Sequence, residues 1–162
     1  MTVYFDRLKV GYPDEYEHPD DWLGCWRVYT VCKTPHPYSC TTRSDARNMQ
    51  SAEDLEDARR SWGKFLQRAH TGEPFQTIYD ETQCHPAHEF KYGESATKIW
   101  RVWGSGKIRI YFLYAEEKRV IVLKTEAKRK RKLTAGEKKH LEEIAITVLD
   151  CIAVHTFTER EI

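Results

Sequence analysis

The sequence predicts an α+β fold in which a small antiparallel sheet is packed by one helix that precedes it and one that follows it. Three observations predict this: two amphipathic stretches that each open on a capping box, and between them a run of two-residue alternation cut by turn residues. The sheet is expected as a three-stranded meander plus one candidate extra strand, with an irregular N-terminal extension. At 162 residues the chain is long enough to bury one hydrophobic core.

The first helix opens at Ser51-Ala-Glu-Asp54, a capping-box pattern. Leu55, Ala58, Trp62, Phe65, Leu66 and Ala69 then recur at spacings of three and four, and Gly72 stands where the chain should leave the helix. Arg59, Arg60, Lys64 and Arg68 occupy the opposite face. Residues Phe75 to Gly93 read as mixed and turn-rich, with at most a short strand near Thr77 to Tyr79.

From Lys98 to Leu123 the pattern changes to a meander. Ile99 to Trp103 forms its first strand, Gly104-Ser105-Gly106 a hairpin turn, Lys107 to Tyr114 its second strand, Glu116-Glu117-Lys118 another turn, and Arg119 to Lys124 its third strand. In the middle strand Ile108, Ile110, Phe112 and Tyr114 share one face, while Arg109, Tyr111 and Leu113 share the other. A second capping box, Thr134-Ala-Gly-Glu137, precedes the apolar stripe Leu141, Ile144, Ala145, Val148, Leu149 and Ile152 of a final helix.

The first fifty residues carry four of the six prolines, many aromatics and one candidate strand, Trp26 to Cys32. The expected organisation is therefore an acidic, aromatic-rich extension over 1–50, packed on a core over 51–162. An apolar fraction of 40% and a charged fraction of 31% exclude general disorder. No apolar run reaches the length of a membrane span, and the opening MTVYFDRLKV lacks the pattern of a signal peptide, so a cytoplasmic protein with no membrane partner is expected.

Five cysteines, an odd number without a CxxC pair, read as reduced and mostly packed. The cluster Cys84-His85-Pro86-Ala87-His88 has metal-ligand residue types but no second half, and reads as a surface loop. No metal and no cofactor is expected.

Charge is divided along the chain. Residues 1–57 hold eleven Asp and Glu against six Lys and Arg, whereas residues 98–132 hold twelve Lys and Arg against three Glu. The strongest concentration is the run Lys128-Arg129-Lys130-Arg131-Lys132, a pattern that suits a polyanionic partner.

No glycine-rich phosphate loop, GxSxG, HExxH or recurring acidic motif is present. Chemistry must rest mainly on Lys, Arg, His and Tyr. Such residues suit RNA cleavage by attack of a 2′-hydroxyl on the adjacent phosphate, in which cations neutralise the growing phosphorane charge and one group moves protons. Arg101 and Arg109, near the middle of adjacent strands, can grip phosphate oxygens from one sheet face, with Lys107 and the basic run beside them and Trp103, Tyr111 and Tyr114 as stacking surfaces. The plainer alternatives are solvated arginines, packed tryptophans, and structural histidines at His140 and His155.

The order of these pieces, a helix, a middle strand reading KIRIYFLY, a strand reading RVIVLKTEAKRKRKL and a capped helix, resembles the RelE/ParE/HigB superfamily of type II toxins. The resemblance spans Ser51 to Asp150 and is strongest from Trp100 onward. It implies a small α/β fold that, in the RNase branch, cuts mRNA in the ribosomal A site without metal and is inhibited by an antitoxin protein. By position, Arg109 matches the family's middle-strand arginine at the scissile phosphate, Arg101 its basic position on the preceding strand, and Lys128 to Lys130 its basic patch, with Arg129, Arg131, Lys132, Lys107 and Trp103 as nucleic-acid contacts. For the family's C-terminal acid/base position His155 is the nearest candidate and Tyr111 the fallback. A ParE-like noncatalytic binding protein is the alternative.

Overall fold

In the computed structural model, which describes residues 3–8, 24–35, 39–128 and 132–154, the elements run β1 (Tyr4–Arg7), β2 (Arg27–Cys32), α1 (Thr41–Arg47), α2 (Ala52–His70), α3 (Phe75–Ile78), β3 (Cys84–Tyr92), β4 (Ser95–Trp103), β5 (Ile108–Ala115), β6 (Arg119–Ala127) and α4 (Ala135–Val154). The fold is α+β as expected, but its sheet is wider than the predicted meander. Among the described residues it has six strands in the order β1-β2-β6-β5-β4-β3.

Three strands beyond the meander account for the added width. The candidate strand Trp26 to Cys32 is present as β2, inside the sheet and parallel to β6, with Val28 opposite Val120 and Thr30 opposite Val122, and β1, which was not expected, pairs with its other edge. The stretch expected to be turn-rich supplies α3 and the edge strand β3, which pairs with β4 through the tight turn at Gly93-Glu94. Gly93 adopts φ +61 there, a conformation that glycine reaches without steric cost. The supposed surface loop Cys84 to His88 is the start of β3, bulged between Pro86 and His88.

Helix α2 begins as its sequence dictates, with the Ser51 hydroxyl accepting the Asp54 N–H at 3.0 Å. It ends at Gly72, whose φ is +74 and where an added Cβ would strike the Gly24 carbonyl, so only glycine fits this crossing. Helix α4 starts on a complete capping box: the Glu137 N–H reaches Thr134 Oγ1 at 3.2 Å and the Thr134 N–H reaches Glu137 Oε1 at 3.0 Å.

The sheet is covered on both faces. On one, Phe65 of α2 stacks on Phe75 of α3 at 4.4 Å, and Phe112 of β5 meets both edge-on at 5.3 Å. All three rings are fully buried, each stabilising by about 1.5–3 kcal/mol. On the other, Leu141, Ala145 and Val148 of α4 pack over Ile99, Tyr111, Leu113 and Ile121. All five cysteines are buried and none forms a disulfide. No helix among the described residues is long and apolar enough to cross a membrane.

Candidate functional site

Sheet register gathers the polar residues of the meander into two neighbouring rows on the face covered by α4. One row runs His85, Arg101, Tyr111, Lys124 across β3, β4, β5 and β6, and the next runs Trp103, Arg109, Glu126 across β4, β5 and β6. Alternation places Arg101 two residues from the core residue Ile99, and Arg109 two from Tyr111, so both arginines project to this same side. The solvated-arginine alternative does not hold, because Arg101 is 8% exposed and Arg109 only 4%.

His85 completes the first row. Its Nε2 lies 2.6 Å from a terminal nitrogen of Arg101, and its Nδ1 lies 3.0 Å from the Pro86 carbonyl. A carbonyl can only accept and a guanidinium can only donate, so the ring carries its proton on Nδ1 and offers the Nε2 lone pair to Arg101. The pair borders a cavity of about 190 Å³ closed by Pro86, Ala87, Lys132, Leu133 and Lys138. A histidine, an arginine and two lysines thus line one small space. Burial holds the Arg101 guanidinium below its usual range.

The remaining predicted residues serve different ends. Tyr111 is 1% exposed and donates its hydroxyl to Glu126 Oε1 at 3.0 Å; burial first, then the Glu126 charge, pushes its pKa well up. A phenol so held supports the row and is a poor source of base. Glu126 also meets the Lys124 ammonium at 3.5 Å. The Arg109 guanidinium lies over the Trp103 ring at 4.5 Å, so one face of that indole is already covered, while its Nε1 donates to the Gly106 carbonyl at 2.7 Å. Tyr114 is on the opposite face of the sheet, bonded to Gln76 and to the Phe75 N–H, and cannot share a ligand with Arg101.

Of the basic run, Lys128 is held 2.7 Å from Glu137 and only 12% of its side chain is exposed. Lys132 is exposed at the mouth of the small cavity. Lys107 lies 4.0 Å from Asp54 of α2. Arg129, Lys130, Arg131 and His155 fall outside the described residues. Sequence reasoning missed His85 as an acid/base candidate because its neighbourhood resembles a metal-ligand cluster. In the fold that cluster separates: Cys84 packs in the α2 core, and His88 sits 3.6 Å from Glu142 of α4.

A larger groove of about 1320 Å³ runs between α1, the turn after it, β6 and α4. Arg47, Lys107, Lys124 and His140 line it together with Asp45, Asp54 and Glu126. Its mixed charge marks it as less selective for a polyanion than the cavity at His85. No protein family, curated protein or solved structure compared with this chain matches it.

Proposed function

We propose that the chain is a metal-independent endoribonuclease that acts on mRNA at the ribosome and is neutralised by an antitoxin, as its resemblance to RelE- and HigB-like toxins implies. The observation that carries this reading is the contact between His85 Nε2 and Arg101, one strand away from Tyr111 and Arg109. When a phosphate replaces His85 as the acceptor for Arg101, Nε2 becomes available to take the 2′-hydroxyl proton. The 2′ oxygen then bonds to phosphorus and the bond to the 5′ oxygen breaks, leaving a cyclic 2′,3′-phosphate. Arg101 neutralises the charge gathering on the phosphorane oxygens. Lys132 and Lys138, at the mouth of the same cavity, supply the proton that the departing 5′ oxygen requires.

The test is primer extension on mRNA from a translation reaction containing the protein. New 3′ ends that depend on both His85 and Arg101 support the reading, and an unchanged pattern of ends rejects it. One observation favours a noncatalytic binding protein instead: Arg109 is almost fully covered, whereas Lys132 and Lys138 beside the small cavity are exposed. In that case RNA or protein would bind at the same edge without new ends.

A further inference from the structure

Cys32 ends β2 and Cys40 caps α1, and the two face each other as an isolated antiparallel pair. The bond from the Lys33 N–H to the Ser39 carbonyl, at 3.4 Å, lies one residue to the loop side of each cysteine, which makes Cys32 and Cys40 a non-hydrogen-bonded pair. Cα atoms in such pairs approach to about 4.5 Å, at the short end of the separations that disulfides bridge, with their Cβ atoms toward each other. The neighbouring Cys32 side chain, opposed by burial and aided by the Arg43 N–H, lowers the Cys40 thiol to about 6.

The other three cysteines differ in each respect. Cys25 donates to the His70 carbonyl at 3.0 Å, and Cys151 donates to the Val3 carbonyl at 3.5 Å. Cys84 packs among the aromatic rings under α2, and burial pushes its thiol up to about 12.

We propose that Cys32 and Cys40 are a redox-active dithiol that a hydroperoxide converts to an intramolecular disulfide. Cys40, whose thiol is lowered and which is the less buried of the two, reacts first. Its thiolate attacks the peroxide, an S–O bond forms and the O–O bond breaks, and the alcohol or water that leaves takes up the thiol proton. Cys32 then attacks the Cys40 sulfur, the S–S bond forms, the S–O bond breaks, and hydroxide departs with the Cys32 proton as water. Two thiols and one hydroperoxide thus give one disulfide, one alcohol or water, and one water. The bridge would tie the start of α1 to the sheet. Because Ser44, Asp45 and Arg47 of α1 line the large groove, oxidation state and groove shape are coupled. This inference is independent of the proposed ribonuclease activity.

The experiment treats the full reduced chain with hydrogen peroxide, alkylates it in denaturant and maps it by mass spectrometry. Lys33 places a tryptic cut between the two cysteines, so a bridge joins two peptides that are otherwise separate. The expected result is three alkylated thiols of the five, a Cys32–Cys40 linked peptide, and full recovery of the thiols with dithiothreitol. In Cys32→Ser the reaction should stop at a Cys40 sulfenic acid that dimedone traps. Five alkylated thiols in the treated wild-type chain, or a bridge that joins any other pair, would overturn the proposal even if the variant fails to fold.

Discussion

Lys128 donates to Glu137 Oε2 at 2.7 Å while Oε1 of the same carboxylate accepts the Thr134 N–H, so one carboxylate both caps α4 and anchors the end of β6 to it. Part of the basic run is therefore committed to the fold. Lys128→Met should lower stability by about 1 kcal/mol in denaturant melts, the usual scale of a cap or a half-buried pair.

The same carboxylate sets a pH dependence. The Lys128 hydrogen bond, followed by the Thr134 N–H, lowers Glu137 from 4.5 to about 2. A depressed carboxylate stabilises the fold above its unfolded pKa, and that contribution is lost as pH falls through the folded value. Stability should decline from about pH 4.5 toward pH 2, and Glu137→Gln should show a shallower decline over that window. Equal slopes in the two chains would remove Glu137 as the cause.

Asp45 has the opposite sign. Burial raises it from 3.8 to about 6, against the pull of the Thr125 N–H that its carboxylate accepts at 2.8 Å. A raised acid binds more protons folded than unfolded between those values, so it makes stability fall as pH rises from about 4 to 6. Asp45→Asn keeps the acceptor and removes the charge, and should be more stable than wild type at pH 7 by roughly 1–2 kcal/mol, with the gain vanishing below about pH 4.

Arg109→Ala should destabilise the fold by about 2–4 kcal/mol, because it removes a buried side chain stacked on Trp103 and the cation opposite Glu126 on β6. A fall in activity in this variant is therefore ambiguous. His85→Ala is the cleaner probe, since His85 is part-exposed on an edge strand, and it should slow cleavage by about two to four orders of magnitude while RNA affinity is retained. A full rate in this variant would dismiss His85 as the base.

Lys132→Gln and Lys138→Gln test the polyanion reading without touching Glu137. Each ammonium withdrawn from a phosphate should flatten the slope of log affinity against log salt by roughly one unit, with melting unchanged. An unaltered slope would mean that these ammonium groups do not meet phosphate.

Both long helices were legible because each announces itself twice, by a capping box and by an apolar stripe. Strands β4 to β6 were legible from alternation and turn residues. Helix α1 was not, since Thr41–Arg47 carries only Thr42 as a buried residue and its cap, Cys40, makes no side-chain cap bond. Strand β3 was hidden by Pro86 and by the bulge after it, which breaks the two-residue period. The placement of β2 beside β6 depends on residues far apart in sequence, and no local pattern encodes that pairing. At the site, the two arginines and Tyr111 were visible as a strand pattern. The His85 contact required the register of an edge strand that the sequence concealed.

The parallel pairing of β2 with β6 also governs how the chain reaches its fold. During synthesis β2 emerges long before Arg119–Ala127 exists, so until then an apolar strand waits with that edge open. The helix α2 and the antiparallel meander can form from nearer contacts, while the β2 seam closes only at the end and on the slow timescale set by distant pairing, milliseconds to seconds by the general trend. A nascent chain stalled before residue 119 therefore holds a sticky, unfinished sheet. The β2 seam is completed only once β6 has emerged.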